Sequence, residues 1–118
     1  MGKLTTHVLN LNTGVPAAAM RLELLLPGGL AAITTKLHFI TNADGRVAQP
    51  MLEGVALQAG MYALIFYVAE YFRGQGAELS DPPFLDQVRI DFGIADVQQN
   101  YHVPLLVTPW SYSTYRGS

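Results

Sequence analysis

The pattern that most restricts this chain is alternation. Over residues 20–26, Met20, Leu22, Leu24 and Leu26 predict an inward face, and Arg21 and Glu23 an outward one. Residues 86–94 repeat the pattern, with Val88, Ile90, Phe92 and Ile94 opposite Arg89 and Asp91. A period of two belongs to a half-buried β-strand. Residues 4–11 divide the same way, Leu4, Thr6, Val8 and Asn10 on one side and Thr5, His7, Leu9 and Leu11 on the other. Residues 61–68 are rich in Tyr, Phe, Ile and Val and read as a buried strand. Further strands are predicted over residues 31–41, with Leu37 and Phe39 opposite Lys36 and His38, and over residues 47–52. Two more are predicted between Tyr101 and Ser118, meeting at Thr108-Pro109-Trp110.

Turn residues separate these runs: Asn12-Thr13-Gly14-Val15-Pro16, Pro27-Gly28-Gly29, Asn42-Ala43-Asp44-Gly45-Arg46 and Ser80-Asp81-Pro82-Pro83. A single helix is predicted over residues 69–76, where glycine supplies the stop. About eight short strands punctuated in this way predict an all-β, two-sheet sandwich. Pro104 has no N–H for a ladder, so its strand is expected at an edge or beside a gap.

Composition narrows the function. A chain of 118 residues is expected to be one domain, spanning 1–118. It has no cysteine, hence neither disulfides nor a thiolate zinc site. A formal charge of −2 argues against a nucleic-acid partner. No apolar run is as long as a membrane span, and residues 1–7 lack a signal-peptide core, so a cytoplasmic protein is expected. Charged residues make up only 14% of the chain, against about 25% in an average domain, which points to further burial in a homo-oligomer.

Few residues carry chemistry. Each of His7 and His102 sits within an apolar strand, and alone reads as a partly buried core or surface histidine. Together they suit proton transfer near neutral pH. Arg46 reads alone as a solvated turn residue, or else as a group that stabilises an oxyanion or grips a planar acid. Tyr115-Arg116-Gly117-Ser118 gathers hydroxyls and a guanidinium at a strand end, with Ser113, Tyr115 and Gly117 on one face. His38 is expected to face solvent. The three histidines lack ligand spacing, so no metal is expected. There is no Gly-rich phosphate loop and no nucleophile elbow.

Four segments together carry a resemblance: Leu4-Thr5-Thr6-His7-Val8-Leu9-Asn10, Asn42-Ala43-Asp44-Gly45-Arg46, Tyr101-His102-Val103-Pro104-Leu105-Leu106 and Tyr112-Ser113-Thr114-Tyr115-Arg116-Gly117-Ser118. They resemble the transthyretin-related proteins that act as 5-hydroxyisourate hydrolases in urate breakdown. The final Tyr-Arg-Gly-Ser is the most specific mark, because the transthyretin carriers share the fold and lack it. The resemblance implies a transthyretin-like sandwich with one short helix, and a homotetramer built as a dimer of dimers around a channel. It implies His7, Arg46, His102 and Ser118 as catalytic residues. Tyr115, Arg46, Leu106 and Ser113 would bind a small purine-derived substrate, with no cofactor. A carrier of a small planar ligand in the same channel is the alternative. Two positions depart from the family: Asn10 stands where an aspartate is usual and Asn100 where a histidine is frequent. Both bear on the protonation expected of His7 and His102.

Overall fold

The computed structural model describes residues 1–27 and 35–118. Among these lie β1 (Lys3–Asn10), β2 (Val15–Pro16), β3 (Arg21–Leu25), β4 (Lys36–Ile40), β5 (Leu52–Glu53), a 3-10 turn (Gly54–Ala56), β6 (Gly60–Tyr67), α1 (Val68–Gly74), β7 (Gln87–Ile94), β8 (Tyr101–Val107) and β9 (Tyr112–Thr114). They form two sheets. One has the order β2-β1-β8-β9, with β5 also on β1; the other has the order β4-β3-β6-β7.

The core lies between the sheets and follows the alternation. Leu4, Thr6, Val8 and Asn10 of β1 are buried, whereas Thr5, His7 and Leu9 are half-buried on the opposite face. Leu22, Leu24, Leu64, Phe66, Val88 and Leu105 complete the interior from both layers. Each such side chain contributes about 1.5–3 kcal/mol on burial. The two threonines of β1 divide accordingly: Thr6 donates to the Val103 carbonyl at 2.7 Å in the interior, and Thr5 points to the other face.

β1 and β8 are parallel neighbours, paired from Leu4↔Tyr101 to Asn10↔Val107. The far edge of β1 is shared by three short pieces. β5 pairs with Lys3 and Leu4, Arg46 bridges His7, and β2 pairs with Leu9 and Asn10. The strand predicted over residues 47–52 is thereby reduced to Leu52–Glu53, since Pro50 just before it cannot donate to a ladder.

Pro104 lies in an interior strand rather than at an edge, and the expected gap falls on its β9 side. His102 and Gly117 form a doubly hydrogen-bonded pair at 3.3 and 2.7 Å, and the β8–β9 ladder resumes only at Leu105↔Thr114. Tyr115 thus faces the nitrogen that has no hydrogen. The Thr114 hydroxyl donates to the Pro104 carbonyl at 2.6 Å and closes the gap.

The helix falls where glycine signalled its end. Val68, Ala69, Tyr71 and Phe72 face inward, while Glu70 meets Arg21 at 2.8 Å outside. Glu23 corrects the alternation argument. It lies on the outer face of β3 yet is only 6% exposed. β3 is an interior strand, and His38 of β4 and Ile65 of β6 flank Glu23 on either side. His38 is exposed as expected, with its Nδ1 3.7 Å from the Glu23 carboxylate. The strand predicted over residues 31–41 is observed as Lys36–Ile40; residues 31–34 lie outside the described residues. Among the described residues no helix is long and apolar enough to cross a membrane.

Candidate active site

The outer face of the β1–β8 pair gathers the polar residues. Parallel register sets Thr5 beside His102, His7 beside Pro104 and Leu9 beside Leu106. Ser113 of β9 lies opposite Leu106 and extends this face.

Arg46 arrives on a turn built for it. The Asn42 side-chain oxygen accepts the N–H groups of Asp44 and Arg46 at 2.9 and 3.1 Å, and the Asn42 N–H donates to the Arg46 carbonyl at 2.7 Å. The Gly45 carbonyl then accepts the Val8 N–H at 2.8 Å, which sets Arg46 across from His7. Gly45 has φ 75°, a left-handed conformation that glycine adopts without penalty. A Cβ there would stand 2.4 Å from the Val8 carbonyl oxygen. The Arg46 side chain is exposed, and its guanidinium has no hydrogen-bond or ion-pair partner among the described residues.

His102 is half-buried. Its Nδ1 lies 2.8 Å from the Thr5 hydroxyl. Gly117 packs directly against the ring: a Cβ at Gly117 would lie 2.9 Å from Cδ2 and 3.0 Å from Cβ of His102. Burial, then the charge of Arg46, then His7 hold the His102 imidazole below its ordinary pKa. Such a group remains neutral, and able to accept a proton, to the acid side of the usual histidine range.

His7, Arg46 and His102, expected from the sequence, therefore come together from three separate segments. Gly117 is bridged to His102, and Ser118, an exposed residue, follows it directly in the chain. Leu106 and Ser113 lie further along the same face. Tyr115 is 61% exposed and lines a cavity of about 260 Å³ beside β7, with Phe92, Tyr101, Val103 and Arg116. Thr5 and Gly117 also take part, through the His102 ring. Alternation places Thr5 on the face of His7, but its partner lies 97 residues away. Among the described residues, no three side chains of His, Asp or Glu gather as a metal site.

Asn10 faces away from this cluster. It is 2% exposed, its Nδ2 donates to the Tyr71 hydroxyl at 3.2 Å, and its Oδ1 accepts the N–H groups of Asn12 and Thr13 at 2.9 and 3.2 Å. Asn100 accepts the Lys3 N–H at 3.1 Å through Oδ1 and the Arg116 guanidinium at 3.1 Å through its carbonyl. Both departures from the family pattern thus serve the scaffold, fastening a turn and a strand start.

A two-layer sandwich of this topology, carrying two histidines and an arginine on the exposed face of its β1–β8 pair, defines a transthyretin-like protein with a polar site. The chain belongs to the HIUase/Transthyretin family, whose model matches residues 4–117. A relative from Ralstonia nicotianae named 5-hydroxyisourate hydrolase is 51% identical, with 100% of both chains covered. A solved structure described as (S)-allantoin synthase superposes with TM-score 0.93 at 43% identity over 99% of this chain, which spans 44% of that one. Sea bream transthyretin in complex with thyroxine superposes with TM-score 0.84 over 98% of this chain and 94% of its own. At 24% identity, that likeness concerns the fold.

Proposed function

We propose that this chain is a 5-hydroxyisourate hydrolase of urate breakdown. The observation that carries the reading is the meeting of His7, Arg46 and His102 in one half-exposed cluster. The chain around that cluster matches a relative of that name over its whole length.

Ring opening needs an activated water and a group that takes up negative charge at the attacked carbonyl. His102, held neutral by burial and by the neighbouring charges, accepts a proton as the water oxygen bonds to the carbonyl carbon. Arg46, whose guanidinium has no partner among the described residues, stabilises the oxyanion through its forked donors. The C–N bond of the six-membered ring then breaks, and the departing nitrogen takes a proton, which His7 supplies in this reading. The product is 2-oxo-4-hydroxy-4-carboxy-5-ureidoimidazoline. In this reading Ser118 positions water or substrate, and Leu106 and Ser113 line the substrate's place on the outer face of the sheet, whereas the Tyr115 side chain is shared with the cavity beside β7.

Within this reading residues 1–118 act as one domain, in the cytoplasm, and assemble as a dimer of dimers. Leu11, Val15, Trp110 and Tyr112 are 46–61% exposed and cluster around the Asn10–Val107 end of the site-bearing sheet. Apolar exposure of this kind fits a covered surface.

The test couples urate oxidase to the purified protein and follows decay of the intermediate by ultraviolet absorbance. His102→Ala and Arg46→Ala are each expected to reduce kcat/KM by at least ~10²-fold in a folded protein. Decay no faster with the wild-type chain than without it refutes the reading. Analytical ultracentrifugation tests the tetramer.

A further inference from the structure

We infer that Thr5 is a positioning residue for His102: its hydroxyl accepts the ring Nδ1–H, and the imidazole works through Nε2. This rests on the hydrolase reading and adds a residue to its site.

The geometry supports the assignment from two sides. Thr5 and His102 are register partners across the parallel β1–β8 pair, and Oγ1 lies 2.8 Å from Nδ1. Thr6, the next residue, spends its hydroxyl on a backbone carbonyl in the interior. Thr5 instead meets the ring of a proposed catalytic residue. Gly117 closes off a second side of the ring, since even a methyl group there would lie 2.9 Å from Cδ2. With Nδ1 occupied and Cδ2 packed against backbone, Nε2 is the nitrogen left to meet water.

The chemistry follows from the proton count. A neutral imidazole carries one ring proton, and a base acting at Nε2 must hold that proton on Nδ1. Thr5 Oγ1 is then the acceptor. The choice of a hydroxyl also matters. A carboxylate at Nδ1 would favour the imidazolium and raise the proton affinity of the ring. A hydroxyl fixes its orientation without that pull. The groups that bear on His102 are Arg46 on its turn and His7 on β1, with burial acting in the same direction.

The test reads the ring directly. Long-range ¹H–¹⁵N spectra of the substrate-free protein are expected to show His102 as the Nδ1–H tautomer. Thr5→Val is expected to let the ring drift toward the Nε2–H form, which free histidine prefers. It should lower kcat about 10-fold with KM little changed, the scale of a lost orienting hydrogen bond. Thr5→Ser is expected to restore both tautomer and kcat. An Nε2–H tautomer in the wild-type protein overturns the inference, even if Thr5→Val does not fold. So does a folded Thr5→Val variant with unchanged tautomer and rate. The tautomer is read without substrate, so a wild-type protein lacking hydrolase activity would sink the functional reading while this assignment is still decided by the spectrum.

Discussion

Replacing Gly117 by alanine would drive a methyl group into space that the His102 ring occupies. On the present backbone the new Cβ would lie 2.9, 3.0 and 3.3 Å from Cδ2, Cβ and Cγ of His102. Comfortable carbon contacts lie at about 3.5–4.0 Å, so ring and chain must separate by roughly 0.5–1 Å. Two movements relieve the clash. The ring can swing away and break its 2.8 Å contact with Thr5. Alternatively the final residues can peel off, breaking the two backbone hydrogen bonds between His102 and Gly117. Those bonds are together worth about 1–3 kcal/mol, against about 1–3 kcal/mol for overpacking. The two costs are comparable, and the final segment is largely exposed, so peeling is the expected relief. Either movement separates His102 from the final segment or from the Thr5 hydroxyl. A misplacement of about 1 Å costs around 10²-fold in rate. Gly117→Ala is therefore expected to lower kcat/KM about 10²-fold. The core is untouched, so the melting temperature should fall by only about 5–10 °C. The coupled ultraviolet assay and a thermal melt read the two quantities. A wild-type rate in this variant would refute the claim that the ring is held against the Gly117 backbone.

Three further outcomes are expected. Because the His102 pKa is lowered, the neutral form persists below pH ~6.5, and the acid limb of kcat/KM belongs below that value. The unfolded chain binds this proton more readily, so stability should fall as pH drops from ~6.5 toward the folded-state pKa. An NMR titration of the ring checks both, and Arg46→Gln should move its midpoint upward. Gly45→Ala, which sets a methyl group 2.4 Å from the Val8 carbonyl at φ 75°, should cost at least about 2 kcal/mol in urea unfolding and reduce activity by displacing Arg46. Asn10→Asp should leave the pH profile of activity unchanged, because Asn10 faces the interior. Asn10→Leu should cost about 1–3 kcal/mol in the same unfolding assay by stranding the N–H groups of Asn12 and Thr13.

The faces of β1, β3 and β7 were legible because a strand repeats every two residues and burial of one face leaves that period in the sequence. The limit of the argument shows at Glu23. Alternation tells which side a residue faces, not what covers that side, and an interior strand can bury its outer face. Pro104 shows a second limit. The missing N–H foretold a break in a ladder, but whether that meant an edge or a gap depended on what lay beside β8. The predicted strand over residues 47–52 failed for a related reason: strand propensity is weak beside a proline and a partner edge divided among three pieces.

The candidate site divides along the same line. His7, Arg46, His102 and the Tyr-Arg-Gly-Ser ending are visible in the sequence as residue types within recognisable segments. Which atom meets which is not. Thr5 and His102 are 97 residues apart and touch only because β1 and β8 run parallel as neighbours. Local sequence determines the period of burial, the turns and the one helix, since these depend on interactions between near neighbours. Only tertiary structure decides strand order. With it come the tautomer imposed on His102, its burial beside Arg46, and the reason that residue 117 is glycine, because each depends on contacts between segments that the chain itself holds far apart.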